Sequence, residues 1–429
     1  MICVSTRGSA PPVSFSEAVM AGLAPDGGLY VPDRIARQPG AWWSALRGRP
    51  FQDVAVAIAN ALIGDEIPSV ALDAIVCDAL NFPIPLVALN ERLRMVELFH
   101  GPTFAFKDVG ARMLARLMSH MQGGGVEPLT VLVATSGDTG SAVAQAFFGL
   151  PHTRVVVLYP EGQVTAVQEA QFTTLGGNVT AVAVNGTFDD CQRLAKAAFA
   201  DADLSARVRL TSANSISLGR LLPQMFYYAY ASLQVPEGSP LIVSVPSGNF
   251  GNLAAGVMAW RMGAPIERFV AATNVNDTVP RYLRTGVVEP RPSVSTLANA
   301  MDVGNPSNLE RLQWLFAGNC DAMRGMIEPS VHADNEVKAA IRELHNTFGY
   351  VADPHTAIGY LGAVHSSFFR LPPAVFLCLG TAHPAKFREV VEPVIGRALD
   401  LPQALADALA RPRLVRRIDP ALVHLVKLL

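Results

Sequence analysis

The chain has 429 residues, half of them hydrophobic and 16% charged, with a net charge of −2 and a pI near 6.5. That length predicts two or three domains with a large core. The balanced charge gives no basic surplus for nucleic acid or an anionic membrane. Cys3, Cys77, Cys191, Cys320 and Cys378 are scattered and include no CxxC pair, which predicts reduced thiols in a cytoplasmic protein rather than a disulfide framework or a zinc site.

The first residues, MICVSTRGSAPPVSF, lack a charged head followed by an apolar run, so no signal peptide is expected. Residues 1–95 are irregular, interrupted by Pro and Gly, and are expected to form an N-terminal region packed on the core. Two α/β domains are expected after it, over 96–235 and 236–429. The stretch LFHGPTFAFKDVGARMLARLM (98–118) then sets Lys107 behind Leu98, Phe99, Phe104, Ala105 and Phe106. Val109, Met113, Leu114 and Leu117 recur at helical spacing just after it. A lysine among such neighbours loses hydration, its amine pKa falls, and the neutral amine is a nucleophile that can form a Schiff base with an aldehyde cofactor. A lone lysine at a helix start more commonly snorkels to solvent; two glycine-rich turns further along the chain tilt the reading toward chemistry.

LTVLVA (129–134) reads as a buried strand, TSGDTG as a loop and SAVAQAFFGL as a helix. RVVVLYP (154–160) and NVTAVAV (178–184) are strands, and FDDCQRLAKAAFA (188–200) is a helix in which Cys191 is packed and Asp189 and Asp190 are helix-start charges. LIVSV (241–245), PSGNFG and NLAAGVMAWRM repeat the strand–loop–helix pattern. The uncharged stretch Gly238–Trp260 is therefore a buried unit rather than a membrane span. HTAIGYLGAVHSSFF (355–369) is helical and AVFLCLG (374–380) a late strand, with Pro236–Pro240 and Glu289–Pro292 as surface connections. Continuous apolar strands alternating with helices predict an α/β protein with mostly parallel, doubly covered sheets.

Ligands of such sheets bind beyond the carboxyl ends of the strands, where both glycine-rich loops lie. The helix after each loop offers unpaired N–H groups to a phosphate or carboxylate. Gly248 and Gly251 let the backbone approach an anion, and Thr135, Ser136 and Thr139 add hydroxyl donors. Neither loop matches GxGxxG and no GxxxxGK[ST] occurs, so nucleotide binding has little support. His100, His355 and His383 stand in turn-rich stretches where a hydrogen-bonded loop histidine is the plainer reading. No metal-ligand spacing is present, and no metal is expected.

With these motifs read, the chain resembles the threonine synthases, pyridoxal-phosphate enzymes of the tryptophan-synthase-β fold type, in their longer bacterial and fungal form. The likeness runs nearly end to end, through STRG (5–8), GLAPDGGLYVP (22–32), LFHGPTFAFKD (98–108), ATSGDTGSA (134–142), QEAQFTTLGGNV (168–179), SANSISLGR (212–220), VPSGNFGNLAAG (245–256), MDVGNPSNLERL (301–312), DPHTAIG (353–359) and TAHPAKF (381–387). It implies two parallel-sheet, three-layer α/β domains of pyridoxal-phosphate fold type II with an additional N-terminal region. It implies pyridoxal 5′-phosphate as cofactor and O-phospho-L-homoserine as substrate, with water and the substrate yielding L-threonine and phosphate.

Residue by residue, the resemblance makes Lys107 the Schiff-base lysine and the base that takes the α-proton. It makes Gly248, Asn249, Phe250, Gly251 and Asn252 the cradle of the cofactor phosphate, and Thr381 the partner of the pyridine nitrogen. Thr135, Thr139, Asn214, Ser215 and Arg220 match the part of the family that holds the substrate phosphate, and Ser136 and its loop would receive the α-carboxylate. A monomer is implied. Related enzymes often carry Asn where this chain has Asp138, and an ionised carboxylate would repel the cofactor's phenolic oxygen; the roles of Asp138 and Asp108 stay open. The rival reading is another fold type II lyase, a dehydratase or phospholyase on a related amino acid. It would share Lys107 and the glycine loop and would not need the second phosphate pocket.

Overall fold

The uninterrupted apolar runs are strands buried on both faces. Leu129–Ala134, Leu241–Pro246 and Val375–Gly380 are buried at every residue, as in parallel sheets covered by helices on both sides. The computed structural model describes residues 1–122, 128–370 and 374–429. In chain order its strands are β1 (Ile2–Ser5), β2 (Val13–Ser14), β3 (Tyr30–Pro32), β4 (Leu86–Ala88), β5 (Leu93–Glu97), β6 (Leu129–Ala134), β7 (Thr153–Pro160), β8 (Val179–Val184), β9 (Arg209–Ser212), β10 (Leu241–Pro246), β11 (Arg268–Thr273), β12 (Ile327–Val331), β13 (Val375–Gly380) and β14 (Val415–Ile418).

They form three sheets: β2-β1-β3, β12-β11-β10-β13-β5-β4 and β14-β8-β7-β6-β9. The two larger sheets are parallel throughout except for β4, which runs against β5. The expected mostly parallel α/β architecture is therefore what the chain forms. Sheet membership, however, departs from linear order. Residues 95 and 96 both lie inside β5, a strand of the six-stranded sheet. β14, from the C-terminal tail, pairs with β8 in the five-stranded sheet.

The N-terminal region docks through helices Phe51–Ile63 and Ser69–Ala79 onto helices Met225–Leu233 and Lys107–Gln122. Arg112 Nε seals this contact by donating to the Ala79 carbonyl at 2.6 Å. A second tie is Arg311, wholly buried, which donates to the carbonyls of Tyr30 (3.0 Å), Ser215 (3.2 Å) and Ile216 (2.5 Å) and to Asn308 Oδ1 (2.8 Å). Burial lowers its pKa to about 9, so it stays charged at neutral pH. Arg311→Met would strand those acceptors in the interior. It is expected to destabilise the protein by about 3 kcal/mol or more, read from urea unfolding midpoints; a loss under about 1 kcal/mol would show that Arg311 is not the tie.

Candidate active site

The carboxyl ends of β10, β13 and β5 lie side by side, and the segments leaving them carry three groups singled out in the sequence. β5 leads to Lys107, β13 to Thr381, and β10 to Gly248–Asn252. The chain between β5 and Lys107 is stitched to the segment after β13. Leu98 N–H donates to Gly380 O at 2.9 Å, Phe106 N–H to Thr381 O at 2.9 Å, and His383 N–H to Phe104 O at 3.0 Å. Phe104 is held at φ 58°, a left-handed conformation that non-glycine residues rarely take and that concentrates at functional sites.

Lys107 opens the helix Lys107–Gln122, its side chain 15% exposed and its ammonium nitrogen 5.2 Å from the centre of the Phe106 ring. Burial lowers its pKa; Lys386 and Arg220 push the same way, and Asp138 opposes them. Asp108 is not its partner. Asp108 accepts from Thr103 N–H (2.8 Å) and Thr103 Oγ1 (2.6 Å), pinning the turn before the helix, and burial pushes its carboxyl up to about 6.

Asp138, the first residue of helix Asp138–Phe147, lies 3.7 Å from Lys107 Nζ through Oδ2. Its Oδ1 is taken by Lys386 Nζ at 2.6 Å and Gln168 Nε2 at 2.9 Å. Burial alone would raise this carboxyl, but the Lys386 and Lys107 ammoniums and these hydrogen bonds outweigh it and hold it well below the usual carboxylate range. Lys386, a residue of the TAHPAKF motif given no role in the sequence reading, is therefore part of the site. A lysine at zero exposure has to find acceptors, but its neighbours in sequence do not say which.

The loop expected to cradle the cofactor phosphate begins at Ser247 and turns into helix Gly251–Met262 through Phe250, held at φ 61°. The N-cap residues of this helix and of helix Asp138–Phe147 supply no side-chain cap, and in the latter only the Gly140 N–H is taken by a side chain, Thr135, whereas Thr165 and Thr187 build capping boxes for helices Ala166–Thr173 and Phe188–Ala200. The open N–H groups at the two loops are the unpaired donors of a helix start. Asn252 Oδ1 accepts from Tyr227 and Tyr228 hydroxyls (2.6 and 2.7 Å), which aims its Nδ2 elsewhere. A Cβ on Gly248 would stand 2.6 Å from the Met301 Cα. Gly248→Ala is thus expected to cost about 1–3 kcal/mol and to loosen cofactor retention, measured by melting and by dialysis of the loaded protein. Unchanged retention would remove this loop from the cofactor site.

The second loop lies beyond β6, and β9 beside it delivers Asn214, Ser215 and Arg220. Ser136 and Thr139 are part-exposed, and their hydroxyls make no hydrogen bond among the described residues. Thr135 is different: fully buried, its hydroxyl accepts from Gly137 and Gly140 N–H (2.9 and 2.8 Å) and donates to Gly137 O. Asn214 Nδ2 donates to Ala134 O at 2.9 Å, and Ser215 Oγ accepts from Asn249 Nδ2 at 2.5 Å, joining the two loops. Gly110 lets Arg220 in: a Cβ there would meet the Arg220 carbonyl at 2.5 Å. Arg220 is 2% exposed, donates through Nη1 to Ala213 O at 2.7 Å, and makes no ion pair among the described residues. Burial lowers its pKa to about 10, so it is a cation at neutral pH.

Arg220 Nε, Asn252 Nδ2 and Asn308 Nδ2 are buried donors without a partner among the described residues. Spare buried donors, together with two helix starts that keep open N–H groups, fit an anionic, doubly phosphorylated set of ligands, and the desolvated lysine among them fits a pyridoxal-phosphate aldehyde. Thr381 is 5% exposed and is held through its backbone N–H to Thr356 Oγ1 (3.2 Å), leaving its own hydroxyl unengaged among the described residues. The histidines behave as loop-fixing groups. His355 spans Asp353 Oδ2 (2.6 Å) and Ala300 N–H (3.2 Å), His100 meets Glu97 (2.7 Å), and His383 accepts from Ala385 N–H (3.2 Å). His332, Glu336 and His365 bring potential metal-ligand atoms within 4.8 Å of one another, and none of them belongs to this site.

This fold and lysine-centred site define a pyridoxal-phosphate-dependent enzyme, and residues 84–375 match the family described as pyridoxal-phosphate dependent enzyme. Residues 3–80 match the threonine synthase N terminus and 356–428 the threonine synthase C-terminal family. Threonine synthase of Escherichia coli is 44% identical over 97% of this chain and 96% of its own, and that of Haemophilus influenzae 45% over 92% and 91%. The crystal structure of the Escherichia coli threonine synthase superposes with a TM-score of 0.93 at 42% identity, covering 100% of this chain and 99% of its own. The PLP-bound threonine synthase of Brucella melitensis gives 0.93 at 36%, covering 100% and 98%. The chain belongs to the threonine synthase family.

Proposed function

We propose that the chain converts O-phospho-L-homoserine and water to L-threonine and phosphate, the last step of threonine biosynthesis, with pyridoxal 5′-phosphate as cofactor. Arg220 carries this reading: a buried cation without a carboxylate partner among the described residues, close enough to Lys107 to lower its pKa. A dehydratase needs one phosphate site, for the cofactor; this chain offers a second.

The cofactor, when bound, supplies the electron sink for carbanion chemistry at the amino acid. Lys107 would be its attachment point, and the Lys107 amine, when free, would take the proton from Cα. Gly248–Asn252 would hold the cofactor phosphate on backbone N–H groups, and Thr381 would offer the ring nitrogen a neutral hydroxyl. Arg220 presents a fork to the substrate phosphate and stabilises the charge it carries away, with Thr139, Asn214 and Ser215 lining that pocket and Ser136 receiving the α-carboxylate. Thr135, its hydroxyl committed within the loop, contributes by shaping that pocket. Lys386 pairs with Asp138 and makes the pair neutral, which would relieve the repulsion expected between this carboxylate and a phenolic oxygen. The cytoplasm and a monomeric state complete the proposal; scattered free thiols and the likeness to the family support them, and no helix among the described residues is long and apolar enough to cross a membrane.

The test is phosphate release from O-phospho-L-homoserine with threonine detected as the product, against serine and threonine as alternative substrates. Ketoacid formation from threonine at a higher kcat/KM than phosphate release would transfer the chain to the dehydratases.

A further inference from the structure

Asp138 has two lysines to choose from, and the choice sets the chemistry of Lys107. Were it the counter-ion of Lys107, it would hold that amine as an ammonium, which cannot attack an aldehyde or take a proton. The geometry gives it to Lys386. The Lys386 ammonium, at zero exposure, sits 2.6 Å from Asp138 Oδ1 and 2.8 Å from the Thr103 carbonyl. Lys107 stands 3.7 Å from Oδ2, an ion-pair contact longer than a hydrogen bond and the weaker of the two.

Asp138 is kept in this pairing by a closed circuit. Gln168 Nε2 donates to Asp138 Oδ1 at 2.9 Å while its Oε1 accepts from Thr165 N–H at 3.3 Å. Thr165 Oγ1 in turn donates to the Lys386 carbonyl at 3.2 Å. The circuit spans the helix bearing Asp138, the capping box of helix Ala166–Thr173 and the turn Pro384–Phe387.

We propose that Lys386 is the positioning residue of the reactive amine: by taking Asp138 as its own partner, it stops that carboxylate from locking Lys107 as an ammonium, and so keeps Lys107 reactive near neutral pH. The inference rests on Lys107 being the cofactor's attachment point. The other charged groups facing Lys107 do not replace this effect. Arg220, from the short helix Leu218–Leu221 after β9, is a cation acting in the same direction as Lys386. Asp108, on Lys107's own helix, is engaged by Thr103. His383, near Lys386, is uncharged at neutral pH because burial lowers its pKa to about 4.

The experiment strips the full-length protein of cofactor and follows uptake of pyridoxal 5′-phosphate against pH, with borohydride trapping at Lys107 located by mass spectrometry. The rate rises with pH and levels off above the titration of the attacking amine. Lys386→Met is expected to move that break up by a pH unit or more, making uptake about tenfold or more slower at pH 7 and restoring it in alkali, since one pKa unit is a factor of ten. Lys386→Gln, neutral but able to donate to Asp138 Oδ1, is expected to do the same if Lys386→Met does not fold. Lys386→Arg, which keeps the charge, returns the break toward the wild-type position. An unchanged break in the neutral variants, or slowing by an equal factor at every pH, overturns the proposal and leaves Lys386 a structural residue. A wild-type protein that traps no cofactor at Lys107 overturns the attachment reading itself.

Discussion

Lys107→Ala is expected to lower phosphate release from O-phospho-L-homoserine by about 10⁴-fold or more, because one amine both anchors the cofactor and moves the α-proton. The fold is expected to survive. The Lys107 ammonium stands 3.7 Å from the Asp138 carboxylate, and Asp138 keeps Lys386 and Gln168 as partners when the amine is gone. Removing a desolvated amine also relieves the burial that lowers its pKa. Turnover, the borohydride-trapped adduct and the melting curve should therefore separate: the first two lost, the third unchanged. Turnover within about tenfold of wild type would exclude Lys107 as the reacting amine.

Arg220→Ala is expected to cut kcat/KM for O-phospho-L-homoserine by about 10²–10³-fold, the scale of losing a donor aimed at developing charge. Part of the loss should appear as a raised KM, because a guanidinium placed on the substrate phosphate would meet it in the ground state as well as in the transition state. Cofactor affinity should change far less, since the loop 248–252 and its uncapped helix lie on β10 while Arg220 follows β9 in the other sheet. Arg220→Lys should rescue only in part, because an ammonium offers a point charge where the pocket was built around a planar fork. A collapse of cofactor affinity with KM unchanged would show that Arg220 serves the cofactor instead.

Much of this was legible before any fold was known. LTVLVA, RVVVLYP, LIVSV and AVFLCLG are apolar on both faces, and only a strand covered on two sides satisfies such a run, so four strands of the parallel sheets could be read within a residue or two of their ends. β9, β11, β12 and β14 were not singled out. β14, VRRI, sets two adjacent arginines between Val415 and Ile418 at a sheet edge, and its identity as a strand depends on β8 lying beside it.

The sequence by itself determined the family and the mostly parallel α/β class, and it pointed to Lys107 and the two glycine-rich turns, because glycine-rich turns between apolar strands and helices carry their meaning locally. Only the tertiary structure decided what those groups do to one another. It showed that Asp108 belongs to Thr103, that Thr135 is spent inside its own loop, and that Asp138 is neutralised by a lysine near the far end of the chain, Lys386. Local pattern cannot carry that information: an ion pair's worth depends on distance and on exclusion from water, and both arise only when β6 and β13 bring distant segments to one buried place.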